Sequence, residues 1–436
     1  MTRVVRPNHF DRTRRGRGQG VVIATETTPN GAAILTAKIA RLELVALLAM
    51  LVATVAFSVD SMLPALPQIG MELVPSNPNS AQLILSSFII GMGLGTLVTG
   101  PLSDTFGRKP VIVAGAGLYI FGSALAWAAP SIELMVAARL FQGFGAAGPR
   151  IVSLAIVRDF YSGREMARLM SFVMIVFTIF PALAPLIGSG IIALAGWRGI
   201  FAAFILFALI STTWLQLRLP EPLPPAARRP FRASMLWSAT REMMSLPMVR
   251  LSITVQALIF STLFTSISLI QPVFDQSFAR SDDFPLWFFL IGVFCATSSM
   301  VNARFVVKYG MRAIVTLTLF VSLVLTGAMV GITLTGIAGD HEFYVYLFWQ
   351  TSVFYQMGLT IGNLNALSME PLGHIAGLAA SVIGAISTVS AGILASIVSQ
   401  LFSGSALPLY LGTLVFTLLA VPLVLKMRRL ERVQRS

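Results

Sequence analysis

Three ionisable side chains fall inside apolar runs long enough to cross a bilayer: Asp60, Arg139 and Arg150. A charge in hydrocarbon is costly enough to need a purpose. A carboxyl sequestered from water resists ionising, so Asp60 could take up a proton on one side of a membrane and release it on the other. Arg139 is its expected counter-charge, because a planar guanidinium suits a carboxylate. Two plainer readings compete: Asp60 capping a helix end at the interface beside Pro64 and Pro67, and a structural ion pair with no part in transport. Gln142, three residues after Arg139, shares its helical face and is expected to line the same cavity. Arg150 lies nearer a helix end and is expected to snorkel to the cytoplasm.

A second set of residues has the spacing of a switch. The loop Gly100-Pro-Leu-Ser-Asp104-Thr-Phe-Gly107-Arg108-Lys109-Pro110 puts one acid beside two bases at a glycine turn. Such a loop can form charge pairs in one conformation and break them in another. About 200 residues later, Asn302-Ala-Arg304-Phe-Val-Val-Lys308-Tyr-Gly310-Met-Arg312 echoes it without the acid. Phe180-Pro181-Ala-Leu-Ala-Pro185-Leu-Ile-Gly188-Ser-Gly190 places two prolines four apart, which bends a membrane helix where others pack or slide against it. Gly373, Gly377, Ser381 and Ala385 form a smooth face for close packing.

Other chemistries have no residues to support them. No phosphate-binding G-x-x-x-x-G-K-[ST] occurs, since none of the four lysines follows a glycine, and an ATP-driven pump is not expected. The one G-x-G-x-x-G, Gly143 to Gly148, lies inside an apolar run with no strand before it, where small residues serve helix packing. His9, His341 and His374 are scattered, without metal-ligand spacing. Cys295 has no intrachain partner and reads as a small core hydrophobe.

The elements that must carry these residues are set by composition. Of 436 residues, 56% are hydrophobic and only 11% charged, against about 25% charged in soluble domains. At about 20 residues per crossing, the length holds about twelve helices. The apolar runs fall at about 42–63, 80–102, 111–129, 133–157, 168–194 and 198–217, then 248–271, 285–307, 312–335, 342–367, 375–400 and 407–426. The expected organisation is a disordered basic tail (1–40), a six-helix bundle (41–217), a connector (218–247), a second six-helix bundle (248–427) and a short tail (428–436). Met235, Leu236, Trp237, Met243 and Met244 predict a short amphipathic helix within the connector, lying on the membrane surface. The net charge of +13 would suggest nucleic acid in a soluble protein. Here 27 of the 31 bases fall in the tails, the connector and the loops on their side, which predicts that both termini are cytoplasmic. Nucleic acid is not needed to explain them. Repetition of a six-span half also marks transporters whose site lies between the halves.

Over about residues 40–430 the chain resembles the major facilitator superfamily. Gly100 to Lys109 is similar to that family's motif between helices two and three. Arg139-Leu-Phe-Gln142-Gly143-Phe-Gly145 is similar to its helix-four motif, in which an arginine is implicated in proton coupling. Pro181, Pro185 and Gly188 fall in a stretch similar to the helix-five antiporter motif. Asp60-Ser-Met-Leu-Pro64-Ala-Leu-Pro67 and Gly196-Trp197-Arg198 resemble the bicyclomycin-resistance (Bcr/CflA) branch of drug:proton antiporters. Met62 stands where that branch usually has an aromatic, and Thr105 where it has a base. The resemblance implies an all-α protein of twelve transmembrane helices in two pseudo-symmetric bundles that rock in alternating access. It implies no enzyme and no cofactor, but a monomer in the bacterial inner membrane driven by the proton motive force. Its role would be to exchange protons for small amphipathic compounds. Asp60 and Arg139 would then couple protons, Gln142 would line the cavity, and Gly100, Asp104, Gly107 and Arg108 would form the conformational gate. Proton-coupled import or export of a specific metabolite by the same fold is the alternative.

Overall fold

A backbone in hydrocarbon finds no water to bond, so each crossing must satisfy its own N–H and C=O groups as a helix. The computed structural model describes residues 40–435; the basic tail expected over 1–40 lies, apart from its last residue, outside the described residues. Among the described residues there is no strand. The first half comprises α1 (Arg41–Asp60), α2 (Leu66–Leu73), α3 (Leu83–Phe106), α4 (Arg108–Trp127), α5 (Ile132–Phe160) and α6 (Gly163–Arg218). The connector holds α7 (Ala233–Ser245), and the second half comprises α8 (Pro247–Pro272), α9 (Phe284–Tyr309), α10 (Met311–Thr335), α11 (Glu342–Met369), α12 (Ala376–Gln400) and α13 (Leu407–Arg435).

Among the described residues twelve crossings result, because two of the ten continuous apolar stretches each cross twice. One is α6, whose 56 residues would extend ~84 Å if straight. It reverses at Gly196 (φ 67°, ψ 179°), a conformation open to a residue without Cβ. The other runs from Gly339 to Gln400 and turns through the 3₁₀ segment Glu370–Ile375. Pro64 and Pro67 do more than end α1. Pro64 opens a 3₁₀ turn and Pro67 opens α2, so the chain stays helical for most of the way to Leu73 and Asp60 is not at the end of its crossing.

The two halves repeat. Gly107 (φ 104°) ends α3 and starts α4, and Gly310 (φ 80°) does the same between α9 and α10. The halves meet along α3 and α12, which pack antiparallel with paired positions moving in step: Ile90 with Gly392, Gly93 with Val389, Thr96 with Gly384, Gly100 with Ser381. Beyond that run, the side chain of Asn79 donates to the carbonyl of Phe402, and Gln400 Nε2 to Asn79 O (3.1 Å). From Asn79 to Gly100 is ~30 Å at helical rise, the thickness of the hydrocarbon. Of the smooth face expected on α12, Ser381 makes this contact, while Gly373 and Gly377 have open space beside them. A second seam joins α6 and α9, where Gly292 lies against Ala182.

The expected connector helix is α7. Met243 is fully buried with Val249, Ile253, Leu372 and Val382, whereas Trp237 is 73% exposed on its other side. The helix is thus anchored on the second half by one apolar face. The surface that carries it is called the connector face below.

Candidate functional site

Inside the first bundle a polar network joins four helices around Arg139, which is fully buried. Its Nη2 donates to Ser58 O of α1 (2.9 Å), its Nε to Ile84 O of α3 (3.2 Å) and its Nη1 to Gln142 Oε1 of α5 (2.6 Å). Gln142 Nε2 then donates to Ser123 Oγ of α4 (2.8 Å), which donates to Tyr119 O (2.8 Å). Ser58 Oγ gives its proton to Thr54 O (2.6 Å), so Tyr119 O–H donates to Ser58 Oγ (2.6 Å). The guanidinium also lies over the Phe88 ring, 4.5 Å from its centroid, a favourable placing for a desolvated cation.

Asp60 is 5% exposed, and its carboxyl has no hydrogen-bond or ion-pair partner among the described residues. This corrects the expectation that Arg139 pairs with it. The guanidinium is instead taken up by two backbone carbonyls and Gln142, two residues along the chain from Asp60 at Ser58. Gln142 correspondingly is wholly buried and positions Arg139, with no face on an open cavity. Gly188 of the helix-five motif packs directly on the carbonyl of Ser61, which brings that motif to the residue beside Asp60. Pro181 and Pro185 lie within α6 on the same crossing. Arg150 departs from its expected snorkelling: its Nη1 reaches Met92 Sδ (3.6 Å), on α3 14 residues above the connector-face end. Helical side chains lean towards the N-terminus, which on α5 leads away from the connector face.

At that face the predicted loop forms a charge cluster centred on Arg108, which is 7% exposed. Its Nη1 donates to Asp104 Oδ1 (2.6 Å) and Ser103 Oγ (2.7 Å), and its Nε to Asp159 Oδ2 (2.7 Å) at the end of α5. The connector then covers the loop. Glu221 accepts from the backbone N–H of Arg108 (2.8 Å) and Lys109 (2.9 Å), capping α4 where a negative charge is favoured. Arg229 N donates to Asp104 O (2.9 Å), and Thr105 Oγ1 donates to Arg229 O (2.7 Å). Thr105 thus binds the connector. Gly100 lies against Ser381 Oγ of α12, so the loop touches the other half too. In the second half the missing acid is supplied from elsewhere: Arg312 pairs with Glu370 at 3.5 Å.

Twelve crossings in two repeated halves, an arginine network in the fourth crossing and a charge-locked turn after the second coincide with a family match. The model of the Major Facilitator Superfamily aligns with residues 46–399. The chain belongs to the Major Facilitator Superfamily.

Within the superfamily, this chain is similar to the uncharacterized MFS-type transporter YdgK of Bacillus subtilis, with 30% identity over 371 residues, 83% of this chain and 88% of that protein. It is similar also to the bicyclomycin resistance protein homolog of Haemophilus influenzae, at 28% over 359 residues, 81% of this chain and 88% of that protein. Among solved structures, a D-xylose-proton symporter superimposes with TM-score 0.70 over 89% of this chain and 97% of its own, at 16% identity, which is a likeness of fold. Superfamily membership makes the chain a multi-pass membrane transporter, not an enzyme. Among the described residues no group of three or more His, Cys, Asp or Glu could hold a metal ion.

Three site residues were not singled out from the sequence. Asp159 and Glu221 are distant in sequence from the loop they bind, and nothing in their local spacing marks them. Glu72 accepts from Trp197 Nε1 (2.6 Å) and Arg198 Nη1 (2.5 Å), while the Arg198 guanidinium lies 4.0 Å from the Trp197 ring centroid. Glu72 thereby clasps α2 to the Gly196 turn on the face opposite the connector. Its signal was available, since Gly196-Trp197-Arg198 offers two donors with no acid in its own segment.

Proposed function

We propose that this chain is a proton-coupled transporter of small molecules, working by alternating access as a monomer, with Asp60 as the proton carrier. The observation that carries the reading is the buried carboxyl of Asp60, held without a partner among the described residues, beside the Ser58 carbonyl to which Arg139 is bonded. Burying an unpaired carboxylate costs far more than burying the neutral acid, so Asp60 gains and loses its proton according to whether water reaches it. Arg139 fixes the backbone of α1 next to that group, and Gly188 lets α6 move against it. Asp104, Gly107, Arg108 and Gly100 form the gate, locked when Arg108 holds both Asp104 and Asp159. The 27 bases on one side of the crossings support a bacterial inner membrane placement with both termini and the connector cytoplasmic.

Substrate and direction allow two readings. Import or export of a specific metabolite has the broader support, because the fold is shared with a D-xylose-proton symporter and fold alone does not select a substrate. Export of amphipathic, drug-like compounds is supported by the helix-five motif against Ser61 and by the likeness to a bicyclomycin resistance protein homolog, as in the Bcr/CflA branch. Inverted vesicles with an acid lumen distinguish them. Compounds that discharge the pH gradient when added outside mark antiport. Metabolites that accumulate in right-side-out vesicles only under an inward proton gradient mark symport. A panel in which no compound couples to protons in either format would refute the proposal.

A further inference from the structure

The two bundles differ where three helices meet on the side of the second. In the first bundle the corresponding trio α3, α4 and α5 is closed by small residues. Gly91 lies against the backbone of Leu140, Gly143 against that of Phe88, and Gly115 faces Gly145. In the trio α9, α10 and α11 such an approach is kept at Gly358 against Ser298. Beyond it, away from the connector face, the helices part around a cleft of about 630 Å³. That is within the ~300–1,000 Å³ typical of small-molecule pockets. Phe294, Leu317 and Phe348 at its mouth are 58%, 67% and 65% exposed. Because α10 packs against α9, α11 and α13 of its own bundle, the mouth opens on the bilayer and away from the seam between the halves.

The walls carry aromatic rings from Trp287, Phe294, Phe348 and Tyr355, and no charged side chain. Two polar groups stand out. Thr351 and Ser352, also in the wall, donate to carbonyls of their own helix, Leu347 O and Trp349 O, each at 2.7 Å. Ser322 Oγ and Gln356 Oε1 instead have no hydrogen-bond partner among the described residues, although the residues are only 7% and 3% exposed. Both lie near the middle of their helices, at the depth of the hydrocarbon centre, where water does not reach them. An acyl chain would fill the space and leave both groups unsatisfied.

We propose that this cleft is a ligand site, separate from Asp60 and independent of the transport reading. It takes a neutral aromatic compound from the bilayer, whose N–H or O–H donates to Gln356 Oε1 and whose second polar atom meets Ser322 Oγ. The rings supply stacking, and the two polar atoms separate such a compound from plain lipid.

The test uses the full chain in lipid nanodiscs with N-phenyl-1-naphthylamine, a neutral aromatic amine bearing one N–H. Energy transfer from Trp287 to the probe is taken as the difference between wild type and Trp287→Phe. Saturable transfer is expected, weakened about ten-fold by Ser322→Val with Gln356→Leu and unchanged by Asp60→Asn. The double variant should melt at or above the wild-type temperature, which excludes misfolding as the cause. A Thr351→Trp variant, which fills the cleft, should abolish the signal. Transfer that never saturates, or that survives the double variant unchanged, overturns the proposal. So does quenching of Trp287 by bromine-labelled phospholipid chains that the probe fails to relieve, which would make the cleft a lipid groove.

Discussion

Replacing Asp60 with asparagine separates a proton carrier from a structural acid, because the two roles predict different magnitudes. Asp60 makes no hydrogen bond or ion pair among the described residues. Asparagine has nearly the same shape, so Asp60→Asn should change stability by less than ~1 kcal/mol. Were the carboxylate held by Arg139 as a buried pair, its removal would cost about 3–5 kcal/mol. Coupling should respond in the opposite way. One pH unit stores about 1.4 kcal/mol per proton. An exchanger moving one proton per substrate, with the voltage clamped, therefore holds a substrate gradient of about ten-fold. In proteoliposomes the wild type should reach that gradient with a coupled compound, and Asp60→Asn should equilibrate it to one-fold while still exchanging substrate downhill. Thermal melting in detergent supplies the stability arm. Either a maintained ten-fold gradient in Asp60→Asn, or a melting loss equivalent to 3–5 kcal/mol, would refute the reasoning.

Arg139→Met strips the donor from Ser58 O, Ile84 O and Gln142 Oε1, and each orphaned acceptor costs ~1–3 kcal/mol; melting should fall much further than in Asp60→Asn, with partial recovery in Arg139→Lys. Asp159 is the less exposed partner of Arg108, at 21% side-chain exposure against 48% for Asp104. Asp159→Asn should therefore slow turnover more than Asp104→Asn, with KM nearly unchanged in both, as transport kinetics would show. Gly188→Ala would drive a methyl group into the Ser61 carbonyl and should cost ~1–3 kcal/mol, read as a lower folded yield on size-exclusion chromatography. Glu221→Ala removes the acceptor for three backbone N–H groups, those of Arg108, Lys109 and Leu223. It should destabilise by ~1–2 kcal/mol and expose the Arg108–Lys109 bond to trypsin.

Hydrophobic runs and turn glycines report local chemistry, so the twelve crossings, the Gly107 and Gly310 turns and α7 were legible in the sequence. Asp60 and Arg139 were legible as buried because their neighbours are apolar. Their partners were not. Arg139 has the same donors whether it meets a carboxylate or two backbone carbonyls, and the choice depends on where α1 and α3 place Ser58 O and Ile84 O. Arg150 shows the same limit: its distance along α5 suggested one membrane surface, while the lean of a helical side chain sends it to Met92. Asp159 and Glu221 were hidden for a different reason. Each lies at a helix end or in a connector, where acids are common, and only the tertiary approach of those segments to Arg108 makes them particular.

The connector has a mechanical consequence. It leaves α6 at Arg218, doubles back to grip the first half through Glu221 and Arg229, and is fixed to the second half from α7 onward, where Met243 is buried and Glu242 meets His374. Between Arg229, docked on Asp104, and Ala233, the first residue of α7, the chain has only four steps. Fully extended, they reach ~14 Å. A connector of about thirty residues therefore acts as a leash of four. The halves can part at this face by no more than that leash allows before Arg229 lets go of Asp104, so the widest parting on this side requires the Gly100–Lys109 loop to be uncovered first.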